Sequence, residues 1–103
     1  MIQFGLNENI IVQIRNVIET FPQIEKVILY GSRAKGTYRN GSDIDLTLKG
    51  EGLNQSVLFK IEDELDDLML PYTFDISVFD LVSDPDFRQH VERVGKVFYQ
   101  KVS

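Results

Sequence analysis

At 103 residues and 43% hydrophobic content, the chain has the size and apolar fraction of one domain around one core, residues 1–103. It has no cysteine and one histidine, which excludes a disulfide framework, thiolate metal sites and imidazole zinc cages, and argues against a Ser-His-Asp relay. A net charge of −5 argues against direct nucleic-acid binding. No stretch is apolar enough to span a membrane and the start, Met1-Ile2-Gln3-Phe4, lacks the basic region of an export signal, so the expected compartment is the cytoplasm.

Asn7 can cap a helix that runs to about Phe21, with Ile10, Ile11, Ile14, Val17, Ile18 and Phe21 on one face and Pro22 as its stop. Residues 27–30 are continuously apolar and predict a buried strand. A helical turn over residues 32–36 and a polar loop over 37–41 follow. Residues 43–48 alternate as a second strand. From about Asn54 to Leu70 the stripe Val57, Leu58, Ile61, Leu65 and Leu68 predicts an amphipathic helix stopped by Pro71. Its acidic residues 62–67 read as the solvated side. Residues 72–79 alternate again, with Phe74, Ile76 and Val78 on one face and Thr73, Asp75 and Ser77 on the other. Asp84-Pro85 begins a last helix, with Phe87, His90, Val91 and Val94 on its packed face and Gly95 as its end. Val97-Phe98-Tyr99 then forms a short extended tail. This order predicts an α+β, two-layer fold: a small mixed β-sheet with helices packed on one face and the other face left for chemistry.

The chemistry lies in residues 31–48, GSRAKGTYRNGSDIDLTL. Side chains two apart in a strand share a face, so Asp43, Asp45 and Thr47 point one way and Ile44, Leu46 and Leu48 the other. Two carboxylates about 7 Å apart on one face repel each other, and a divalent cation would relieve that. Asp75 is in phase to join them if the strands pair, since neighbouring strands lie about 4.8 Å apart. Asp80 is in the opposite phase.

Such a cluster suits nucleotidyl transfer, in which one or two metal ions neutralise phosphates and activate the attacking oxygen. The Gly31-Ser32 turn, with its backbone N–H groups, and the Ser32 and Ser42 hydroxyls suit the triphosphate. Arg33 or Lys35 could offset charge on the leaving pyrophosphate, although Arg33 is equally an ordinary surface cation and Lys35 and Arg39 read first as surface cations.

Gly31-Ser32, ten residues, then Asp43-Ile44-Asp45 resembles the signature of the polymerase-β-like nucleotidyltransferase superfamily. The size, and GSRAKG followed by SDIDL with Asp75 downstream, look like its minimal nucleotidyltransferase branch. The likeness covers residues 24–80 closely and the closing segment loosely. It implies the nucleotidyltransferase fold, with Asp43 and Asp45 binding Mg2+, Asp75 completing the catalytic triad, and Gly31 and Ser32 holding the triphosphate of ATP. It also implies a helical HEPN partner, a toxin forming a hetero-oligomer with this chain, whose tyrosine would accept AMP. The chain would then be its antitoxin.

Two other readings stay open. The chain could neutralise a HEPN partner by complex formation alone, or transfer nucleotide to a small molecule or an RNA end. The base specificity, the acceptor and the number of metal ions have no linear signature.

Overall fold

A computed structural model describes residues 2–102. The chain opens with a ribbon too short to announce itself by periodicity, β1 (Ile2–Gln3) antiparallel to β2 (Leu6–Asn7). The Asn7 side chain then accepts the Ile10 N–H at 3.0 Å and caps α1 (Glu8–Glu19), whose buried stripe is Ile11, Ile14 and Ile18. There follow β3 (Lys26–Tyr30), α2 (Gly31–Lys35) and β4 (Ile44–Lys49). The rest comprises α3 (Gln55–Asp66), β5 (Phe74–Val78), a 3-10 turn over Phe79–Leu81, α4 (Pro85–Val94) and β6 (Lys96–Gln100). No helix among the described residues is long and apolar enough to cross a membrane.

The four long strands form one mixed sheet in the order β5-β4-β3-β6. β3 is antiparallel to both β4 and β6, whereas β4 and β5 are parallel, with α3 as the crossover. Ile44, Leu46 and Leu48 lie opposite Phe74, Ile76 and Val78, and Leu48 and Leu46 lie opposite Val27 and Leu29. Strand parity thus gathers one apolar face. Ile14 and Ile18 of α1 and Leu58, Ile61 and Leu65 of α3 close over it in a single core.

The fold class agrees with the sequence, while α1 stops at Glu19, β4 starts after Asp43 and β5 covers only Phe74–Val78, and three larger differences have a clear cause. First, α3 ends at Asp66 rather than near Leu70. Leu68 and Met69 bond back to the Leu65 and Asp66 carbonyls, and Met69 turns left-handed at φ 55°. A residue before proline is driven out of the helical region, so the chain unwinds ahead of Pro71. Second, the tail at Val97-Phe98-Tyr99 is a complete edge strand. Val27 pairs with Tyr99 and Ile28 with Val97, which makes Phe98 the extra residue of a bulge and sends it, fully buried, into the core.

Third, not all helices share one face. α4 packs on the far side of the sheet, where Ile28, Phe79 and Val91 are buried together with Tyr30 and Phe87 against them. The cause lies in β3, which is apolar on both faces, so that Ile28 needs an apolar cover, while Thr47 beside it is buried with its hydroxyl bonded to Ser77. Gly95 caps α4 at φ −62°, an ordinary conformation. Glycine is required there by crowding, because a Cβ would meet Ile28 Cγ2 at 2.6 Å and collide with the Val91 carbonyl. Beyond α4, toward β5, the far face opens to solvent: Thr47 is still buried, Asp45 and Ser77 are partly buried, and Asp75 is exposed.

Candidate active site

Three polar side chains form one row across the far face, from beside α4 to the exposed edge at β5. Tyr30 of β3 is the register partner of Asp45 of β4, and Asp45 is the register partner of Asp75 of β5. In the next row Ser77 Oγ donates to Thr47 Oγ1 at 3.0 Å. Asp43 stands one residue ahead of β4, in the same phase as Asp45, and is exposed, as is Asp75. The expected pairing of the two carboxylate-bearing strands is therefore present.

Asp45 is the electrostatic centre of the group. Its carboxyl is pushed up to about 6, first by burial, then by the negative charges of Asp75 and Asp43; Arg33 pulls it the other way. At the end of the row, burial and the charges of Asp75 and Asp45 raise the Tyr30 phenol to about 12, against an opposing hydrogen bond with Ser77. Tyr30 is thus an O–H group at neutral pH. Among the described residues, no three His, Cys, Asp or Glu side chains converge into a closed metal cage. Asp43 sits one residue outside the strand. An all-oxygen, incompletely closed donor set fits a hard cation that keeps waters and takes phosphate oxygens as its remaining ligands.

The Gly31-Ser32 turn abuts this row. Gly31 has φ 74°, and a Cβ on it would run into the Asp45 carboxylate, so only glycine lets the turn sit so close to that acid. From α4, His90 reaches back to the same turn: the Gly31 N–H donates to its Nε2 at 3.3 Å. The sequence marks His90 only as a packed residue, and that it touches Gly31 had no signal in the chain. Tyr30 was equally hidden at the end of an apolar run. Its phase with Ile28, one strand away from Asp45, was the available sign.

Arg33 and Ser42 are placed differently from expectation. Arg33 is 3% exposed. Its Nε and Nη2 donate to the Ser42 carbonyl at 3.2 and 2.9 Å, and its Nη1 to the Phe4 carbonyl at 2.9 Å. The guanidinium also lies against the rings of Tyr38 and Tyr72, at 5.4 and 5.1 Å. A side chain so engaged ties the N-terminal ribbon to loop 37–43 and is not presented to a pyrophosphate. The Ser42 hydroxyl accepts the Arg39 N–H at 2.8 Å and shapes the same loop. Lys35 and Arg39 are exposed.

The profile of the family "Polymerase beta, Nucleotidyltransferase" matches residues 12–103. No curated protein matches the sequence. Among solved structures, the fold is similar to a toxin–antitoxin crystallised with AMP-PNP, at TM-score 0.71 and 23% identity, over 93% of this chain and 75% of that one. It is similar to the toxin–antitoxin MntA-HepT, at TM-score 0.69 and 15% identity, over 92% and 74%. A tri-AMPylated Shewanella oneidensis HEPN toxin in complex with MNT antitoxin gives TM-score 0.62 and 16% identity, over 87% and 71%. These likenesses are of fold. The profile, which spans nearly the whole chain and includes the turn and all three acids, shows that the protein belongs to the polymerase beta nucleotidyltransferase family.

Proposed function

We propose that this nucleotidyltransferase domain transfers AMP from ATP, with Mg2+, to a tyrosine hydroxyl of a helical HEPN partner, and so acts as that toxin's antitoxin. The observation that carries the reading is the register of Asp45 with Asp75 beside the Gly31-Ser32 turn. The acceptor is suggested by the similar folds, among them a HEPN toxin bearing AMP in complex with its antitoxin.

Gly31 and Ser32 would hold the triphosphate so that its α-phosphorus faces the acid row. The acceptor's oxygen attacks that phosphorus as the bond to the β-phosphate bridging oxygen breaks, and pyrophosphate leaves. The hydroxyl proton passes to the Asp75 carboxylate, which is exposed and can return it to solvent. Asp43, Asp45 and Asp75 would hold the magnesium, one ion or two, whose chemistry here is to neutralise phosphate charge and activate the hydroxyl. Arg33 serves by holding the loop before Asp43 and lowering the cost of ionising Asp45. A reaction that consumes ATP suits the cytoplasm.

The test is intact-mass analysis of the protein encoded by the neighbouring reading frame after incubation with the chain, ATP and Mg2+. Mass steps of one AMP, lost in the Asp43→Asn/Asp45→Asn variant, are expected. Neutralisation that proceeds without them, and survives the double substitution, would establish blocking by complex formation instead. Label from ATP appearing on RNA or a small molecule would redirect the acceptor.

A further inference from the structure

We infer that His90 is a positioning residue for the nucleotide: its ring holds the Gly31 peptide in the one conformation that seats the Gly31-Ser32 turn against Asp45. The inference rests on the reading of that turn as the triphosphate holder.

The Gly31 N–H donates to His90 Nε2 at 3.3 Å, a contact between residues 59 apart in sequence. An imidazole accepting at Nε2 carries its proton on Nδ1, so the neutral ring is the one that fits. The turn it holds has little slack. At φ 74° Gly31 lies so near the Asp45 carboxylate that no Cβ fits between them, and a rotation of the 30–31 peptide would carry the turn away from the acid.

His90 is itself well held. Its ring stands edge-on to Tyr30 at 6.0 Å between centroids, and Phe87, three residues earlier on α4, stands edge-on to the same ring at 5.2 Å. Val91, the next residue, is buried with Ile28 of β3. α4 is thereby braced on β3 at Ile28 and Tyr30, and His90 passes that bracing to Gly31. With the acceptor removed, the Gly31 amide is free to rotate, and the turn must be ordered again each time a triphosphate binds. The loss then falls on nucleotide affinity, while the Asp45–Asp75 register, set by β4 and β5, stays in place.

Glutamine extends an oxygen to about the reach of Nε2, and leucine fills similar space with no acceptor. ATP binding in the presence of Mg2+ is measured by titration calorimetry for the wild type, His90→Gln and His90→Leu. The Gly31 amide is followed in parallel by nitrogen-15 NMR, through the scalar coupling that an N–H···N bond transmits and through its hydrogen exchange. Expected are a coupling from Gly31 to His90 in the wild type, affinity within about twofold of wild type in His90→Gln, and about tenfold weaker binding with faster Gly31 exchange in His90→Leu, the size of one hydrogen bond. With the partner present, KM for ATP should rise more than kcat falls. Equal ATP affinity in the wild type and a folded His90→Leu overturns the inference alone. Failure of the wild type to bind ATP overturns the reading of the site and this inference with it. Should His90→Leu not fold, His90→Asn, whose oxygen stops short of Gly31, takes its place against His90→Gln, and equal affinity of those two overturns the inference.

Discussion

Asp45 and Asp75 are direct partners across the only parallel ladder described in the sheet, so two carboxylates from strands 30 residues apart face the same side at the same height. Asp45 is pushed up to about 6, first by its burial and then by the charges of Asp75 and Asp43. The half-buried place that suits Asp45 to a cation is also the place where its charge is costly.

That cost makes stability depend on pH. Asp45 titrates at about 6 in the folded chain against 3.8 ordinarily. Below the lower value the carboxyl is protonated whether the chain is folded or not, and its contribution is whole. As pH rises through about 6 the folded state must carry the charge, and that contribution is lost. In metal-free buffer, Asp45→Asn should therefore melt higher than the wild type at neutral pH, with the difference closing toward pH 4. Circular-dichroism melts across that range check it, and a variant less stable than the wild type at neutral pH would contradict it.

Mg2+ should reverse the deficit. An ion that binds only the folded chain stabilises it by about 2.7 kcal/mol at roughly a hundred times its dissociation constant. The wild type should gain melting temperature with Mg2+ at neutral pH, gain less below pH 6 where Asp45 takes up a proton, and gain nothing in Asp43→Asn/Asp45→Asn.

Gly31→Ala should cost about 1–2 kcal/mol for the left-handed backbone alone, and more for the collision with the Asp45 carboxylate. Asp45→Ala in the same chain removes the collision and leaves the backbone cost. The two substitutions should therefore couple by about 1 kcal/mol in urea unfolding, the double variant being more stable than the sum predicts. Strict additivity would mean that the turn does not press on Asp45.

Arg33→Lys should lose about 3 kcal/mol. An ammonium cannot reproduce the fork to the Ser42 carbonyl, the bond to Phe4 and the stacking on Tyr38 and Tyr72 together. A urea midpoint unchanged from wild type, with ATP affinity alone reduced, would return Arg33 to the phosphate-binding role that its sequence position suggests.

What the sequence by itself determined follows from short-range geometry. The caps at Asn7 and Asp84, the isoleucine stripe of α1, and the phase of Asp43, Asp45 and Asp75 all depend on spacings within one element, where a period of 3.6 or 2 leaves little choice. Only the tertiary structure decided that Asp75 stands opposite Asp45, that Arg33 is enclosed by Phe4, Ser42 and two tyrosines, and that His90 reaches Gly31. Those contacts join distant segments, and the partners are selected by how apolar faces close over one another. The double-sided apolar run of β3 draws α4 to the far face, and His90 comes with it.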